Sequence, residues 1–370
     1  SGMFTICIFL YRNRTVVAFV YILIQFKGRG KEMKNWKLFT LLLALVVVLA
    51  ACGSDNSSSE PEKEEKAETK TAAGTEESAY PMTIKSTVAS TENEEKGTIV
   101  YEDVTFEKMP EKIVVFDYGF LDTLDTLGVE GIVGVAKGNF PENIAKYAGD
   151  EYGNAGSLKG PLLEDIAEMD PDVIFISGRQ SSFYEELKEI APVVFVGATQ
   201  DDYWNTFKAS VDIAAQLFDK EAEAEAELAK FDIALEEVKA LAGSYDNILV
   251  SMYNEGKLSG FSTNSRFGYI YDVYGFTPVT EDIESSSHGS NFSYEAVLEF
   301  NPQALFVIDR TAATGGASNI EKDFENDIIK QTTAYKNGKI VYLDGALWYL
   351  GGGGLKSELA KIEEILTELK

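Results

Sequence analysis

A stretch of seventeen residues occurs twice in this chain without a gap. LEDIAEMDPDVIFISGR runs from Leu163 to Arg179, and YEAVLEFNPQALFVIDR runs from Tyr294 to Arg310. Glu164 matches Glu295, Glu168 matches Glu299, Pro171 matches Pro302, Phe175 matches Phe306 and Arg179 matches Arg310. Each copy opens with a helical pattern: acids sit in the first turn after Pro161, and Ser293 is a candidate N-cap. Each helix should stop at Asp170-Pro171 or Asn301-Pro302, because the residue before proline avoids the α region. The continuous apolar run that follows, VIFIS or ALFVI, suits a parallel strand buried on both faces. Each arginine then lies just past the carboxyl end of a strand, where ligands sit in open α/β sheets.

The flanks repeat more loosely. Residues 112–136 read as strand, helix, strand, and 247–279 read as the matching start of a second half. Between the halves, KEAEAEAELAKFDIALEEVKALAG carries apolar residues at 228, 231, 235, 238 and 241, which is helical spacing. About 22 uninterrupted residues would span roughly 33 Å. The expected fold is α/β: two Rossmann-like lobes, 83–217 and 243–370, joined by one long helix over 218–242, with a ligand cleft between the lobes.

The front of the chain is not globular. Ser1-Gly2 ahead of Met3 has the look of a tag scar, and KGRGKE before Met33 uses only residues that purine-only codons encode. Residues 1–32 are therefore set aside as a segment upstream of the natural start. From Met33, Lys34 and Lys37 form a positive region, Leu38–Leu49 an apolar one, and Ala50-Ala51 precede Cys52. That layout is a secretory signal peptide over 33–51. Residues 52–82 are Ser, Glu, Lys and Thr with little else, a composition that cannot offset its ordering entropy and reads as a tether.

Residues 1–51 hold seven of the 33 Lys+Arg and one of the 60 Asp+Glu. The remainder thus has 26 basic against 59 acidic side chains, a formal charge of −33. Such a surface excludes nucleic acid as a partner. Against this background arginine is scarce: beyond residue 51 there are 23 lysines but only Arg179, Arg266 and Arg310. A planar five-donor fork retained where lysine has otherwise taken over points to a bound anion. Internal salt bridges to some of the many acids are the competing explanation.

Catalytic patterns do not hold. GGGGLKS (351–357) has Leu355 where a phosphate loop needs glycine, there is no G-x-S-x-G, and one histidine cannot serve a zinc motif.

The LAAC ending, VVFDYGFLDTLDTLGV, GSLKGPLLEDIAEMDPDVIFISGRQ, EIAPVV, the long helix and IVYLDGALWYLGGGGL together resemble the siderophore-binding lipoproteins of iron ABC importers. The likeness covers nearly all of 83–370 and is nearest to petrobactin and catecholate binders. It implies a receptor that is not an enzyme, carries no permanent cofactor, and holds a ferric siderophore as cargo. It implies that Arg179, Arg266 and Arg310 face the trianionic iron–catecholate centre, with Lys159 a further cation and Trp348 and Tyr349 lining the site. Tyr118, Phe183 and Tyr269 are additional aromatic candidates. With tetradentate ligands, His288 and Tyr349 would complete the iron coordination, as imidazole and phenolate suit Fe(III). Glu164 and Glu295 match the positions that dock on an ABC permease dimer served by its ATPase. Cys52 would carry the lipid, placing a monomer on the outer face of the cytoplasmic membrane of a Gram-positive bacterium, tethered only by that anchor. Haem, cobalamin or a hydroxamate siderophore on the same fold is the alternative, and an extracytoplasmic enzyme a more distant one.

Overall fold

The computed structural model describes residues 80–283 and 289–369; the signal peptide, Cys52, the tether up to residue 79 and His288 lie outside them. Residues 75–370 form one compact unit. The first strand among the described residues, Met82–Ile84, pairs antiparallel with Val104–Phe106.

Each half is built on a five-stranded sheet. In the first, all strands are parallel, in the order Val193–Phe195, Val173–Ile176, Ile113–Val115, Ile132–Val135, Gly153–Asn154. In the second the order is Ile340–Leu343, Ala304–Asp309, Ile248–Asn254, Lys257–Phe261, Ser290–Phe292. The repeated strands hold corresponding places. Phe175 lies between Val115 and Val194, and Phe306 lies between Val250 and Val341. Both strands are buried throughout, as an apolar run covered on two faces must be.

The halves diverge after their first strand. In the first half Asp117 caps α1 (Tyr118–Thr126) by accepting from the Phe120 amide at 2.8 Å. In the second, Glu255 and Gly256 both take positive φ and turn Ile248–Asn254 back into Lys257–Phe261. A two-residue turn of that conformation matches the twist of a hairpin. The second sheet is therefore mixed rather than all-parallel, and the two lobes are Rossmann-like to different degrees.

The repeated helices are α2 (Leu163–Met169) and, later in the chain, α5 (Tyr294–Phe300); between them run α3 (Tyr203–Leu217) and α4 (Glu221–Ala242). Both repeated helices end on a left-handed residue, Asp170 at φ 49° and Asn301 at φ 46°. The stop is thus an αL cap, which Asp and Asn tolerate, and the following proline cannot continue the helix. Ser293 caps α5 through the Ala296 amide at 3.1 Å. The 22-residue α4 buries Ala224, Phe231 and Val238, one residue every two turns, and exposes its glutamates. Its Phe231 packs edge-on against Trp204 and Phe207 of α3.

A last helix, α6 (Leu355–Leu369), packs against both α4 and α1. The Asp122 carboxylate of α1 accepts from the Ser357 amide at 2.8 Å and its hydroxyl at 2.9 Å, capping a helix that belongs to the other half. The glycine run before it explains itself here. A Cβ on Gly119 would lie 1.9 Å from the Gly352 carbonyl oxygen, and one on Gly354 would lie 2.3 Å from Asp122. The glycines let α1 and the loop touch backbone to backbone. The lobes are therefore joined twice, by α4 and by α6, and one continuous core runs through both.

Candidate ligand-binding site

Three arginines meet at one tyrosine. Arg179 follows the strand Val173–Ile176 in a short 3-10 turn, Gly178–Phe183, fixed by reciprocal hydrogen bonds between Ser177 and Gln180. Arg310 opens the short helix Arg310–Ala313 directly after Ala304–Asp309, where Asp309 accepts from the Ala312 amide at 3.0 Å. Arg266 lies in the Ser/Asn loop after Lys257–Phe261, which Ser262 ties down by donating to the Thr280 carbonyl at 2.7 Å. Arg179 Nη2 donates to the backbone carbonyl of Tyr349 at 3.0 Å, and Arg266 Nη2 donates to that same oxygen. Arg310 Nε donates to the Tyr349 hydroxyl at 2.9 Å. The Arg266 guanidinium also stands 4.3 Å from the centroid of the Tyr349 ring, and that of Arg310 5.3 Å.

The electrostatics follow from this crowding. Burial, with the charge of Arg179 added, lowers the Arg266 pKa to about 10, which leaves it protonated at neutral pH. Burial pushes the Tyr349 phenol up, but the hydrogen bond from Arg310 and the charges of all three arginines outweigh it, and the net shift is downward. Among the described residues none of the three guanidinium groups forms an ion pair with a carboxylate. The salt-bridge explanation for the retained arginines finds no ion pair to support it among these residues. Three guanidinium groups converge on one tyrosine, with only the longer-range charge of Asp117 acting on Arg179, an anion-seeking arrangement.

The other expected residues are distributed around it. Lys159 is exposed in the turn of a small hairpin whose Leu158 carbonyl accepts from Gln180, the neighbour of Arg179. Tyr349 is 6% exposed, in one π-helical turn, Ala346–Leu350. Trp348 is a correction: it is 1% exposed and donates through its indole to Glu364 at 2.5 Å, so it belongs to the core under the site. Tyr118 and Tyr269 are likewise buried, while Phe183 is half-buried against the core. Glu164 and Glu295 are both exposed in the first turns of α2 and α5, without an ion pair among the described residues. Motif reasoning missed Asn139, whose side-chain amide crosses from the first half to the Ala313 carbonyl at 3.0 Å, beside the Arg310 turn. A separate groove of about 510 Å³ between α3 and α4 is lined mainly by apolar residues, and its acids, Asp212, Glu221, Glu225 and Asp232, outnumber its one cation, Lys208, so it offers an anion no comparable field.

A family profile described as "Periplasmic binding protein" matches residues 113–347, which include all three arginines. The chain belongs to that family. This binding protein is 44% identical over 265 residues to the petrobactin-binding protein YclQ of Bacillus subtilis, an alignment that covers 71% of this chain and 84% of the relative. The crystal structure of that relative superposes with a TM-score of 0.70, covering 78% of this chain and 98% of that one. The periplasmic catecholate-siderophore binding protein VctP of Vibrio cholerae superposes with a TM-score of 0.66 at 35% identity, over 76% and 98% of the two chains.

Proposed function

We propose that this binding protein captures a petrobactin-like ferric catecholate siderophore between its lobes and delivers it to an ABC permease for iron uptake. The observation that carries this reading is the convergence of Arg179, Arg266 and Arg310 on Tyr349, with no ion pair from any of the three to a carboxylate among the described residues. A tris-catecholate Fe(III) centre brings three negative charges and aromatic rings. Guanidinium forks can donate to its oxygens, and cation–π contact adds about 0.5–2 kcal/mol per ring. Hydroxamate complexes carry little negative charge and would leave such a field unused. The names of the similar proteins point the same way.

The protein's own task is binding, with no chemistry done on the cargo. Lys159 adds a mobile cation at the rim. Where a tetradentate bis-catecholate leaves two iron positions open, the Tyr349 phenolate and the His288 imidazole are the donors. Glu164 and Glu295, placed alike on the two lobes, dock on the two permease subunits. Acylated Cys52 holds the receptor on the outer face of the cytoplasmic membrane, as a monomer, and a Cys52→Ser protein should be found in the medium instead of the membrane fraction. Uptake of radioactive iron supplied as ferric petrobactin tests the whole reading. Cells lacking this protein should lose that uptake and regain it on re-expression; equal uptake in both would refute it.

A further inference from the structure

A buried ion pair lies among the rings of Trp348, Tyr269 and Tyr203. Glu358 and Lys361, three residues apart on α6, are 0% and 1% exposed and meet at 2.7 Å. The Lys361 ammonium stands 5.5–5.8 Å from the ring centroids of Trp348, Tyr269 and Tyr203. Glu358 Oε1 also accepts from the Gly353 amide at 2.8 Å and the Tyr203 hydroxyl at 2.5 Å. Glu358 Oε2 and the Tyr274 hydroxyl have no partner among the described residues.

As a source of stability this arrangement is poor. Two charges are desolvated and two buried polar atoms stay unpaired among the described residues, and well-packed apolar residues often replace such pairs without loss. What the cluster supplies is position. Tyr203 comes from α3 in the first half and stacks on Tyr269 of the second, with centroids 4.2 Å apart and planes 13° apart. Tyr269 lies three residues beyond Arg266. Glu358 grips Gly353, four residues beyond Tyr349, and a Cβ on Gly352 would come within 3.0 Å of the Tyr203 hydroxyl.

We propose that Tyr203, Glu358 and Lys361 form an interlobe lock that positions Arg266 and the Tyr349 loop for ligand capture. The assignment as a capture device rests on the arginine cluster being the ligand site; the lock itself does not. Two variants test it, Tyr203→Phe and the pair Glu358→Met with Lys361→Met, each measured for ferric petrobactin affinity, melting temperature and amide hydrogen exchange over Asp344–Gly353 without ligand. The expected result is affinity about tenfold weaker in both, faster exchange confined to that loop, and a methionine-pair melting temperature no lower than wild type. If wild type fails to bind ferric petrobactin, the ligand reading falls, while faster loop exchange still upholds the lock. Wild-type loop exchange in Tyr203→Phe, together with a lowered melting temperature in the methionine pair, would overturn it and leave a purely structural ion pair.

Discussion

Arg179 and Arg266, one from each lobe, donate to the same backbone oxygen, the carbonyl of Tyr349. Two like charges are thereby held together by an acceptor too weak to neutralise either. The arrangement is tolerable only at modest cost in solvent, and it becomes favourable once an anion enters.

Arg310→Lys should weaken binding of a ferric catecholate although charge is kept. Arginine donates through Nε to the Tyr349 hydroxyl while its Nη groups, held in the same rigid plane, stay free for the ligand, whereas a lysine ammonium puts all its donors on one nitrogen and has no bidentate fork. Loss of one charge-assisted hydrogen bond, about 1.5–3 kcal/mol, corresponds to roughly 10- to 100-fold in Kd. Unchanged Kd by titration would show that the arginine contributes charge alone.

The Tyr349 phenol should titrate below the ordinary tyrosine range because the arginines favour its anion. Ultraviolet absorbance of phenolate should show an early-titrating group that Tyr349→Phe abolishes. Since the folded-state pKa is depressed, the linked stabilisation is absent below that pKa, appears as pH rises through it, and is complete above the unfolded value. Wild type should therefore gain stability relative to Tyr349→Phe in that alkaline window.

Asp122→Ala should destabilise the whole unit, because the carboxylate caps α6 from the opposite lobe. A lost cap costs about 0.5–2 kcal/mol, readable as a lower denaturant midpoint. Burial raises the Asp122 pKa, so its linked stability is present below the unfolded pKa and lost as pH rises through the folded one. The stability of wild type relative to Asp122→Asn should accordingly grow on acidification.

Reversing charge at Glu164 and Glu295 together should leave siderophore affinity unchanged and abolish uptake. Both carboxylates are exposed and remote from the arginines in their hydrogen bonding, so capture does not depend on them. Uptake at the wild-type rate in the Glu164→Lys, Glu295→Lys protein would exclude the docking role.

The repeat made the strand-end arginines legible, because a buried parallel strand announces itself by its apolar run and the residue after it falls at the sheet's carboxyl edge. Arg266 was legible through scarcity alone. Tyr349 was marked by resemblance, but its main contribution is a backbone carbonyl, which no residue type encodes. Trp348 was misplaced because adjacent aromatics in a loop give no periodicity to say which one turns inward. Nothing in the spacing of Glu358 and Lys361, three apart on a helix, marks them as buried; their burial comes from packing against the rings of Tyr203, Tyr269 and Trp348. The hairpin at Glu255-Gly256 was hidden by an apolar pattern equally consistent with strand then helix.

The central claim is that the arginine cluster receives a ferric catecholate. Its most direct test is a fluorescence-quenching titration of the purified protein with ferric petrobactin, a ferric bis-catecholate, ferric enterobactin, a ferric hydroxamate and haem. The account predicts tight, saturable quenching by the catecholates alone, weakened when Arg179, Arg266 or Arg310 is replaced. Preferential binding of the hydroxamate or haem, or catecholate binding indifferent to all three arginines, would contradict it.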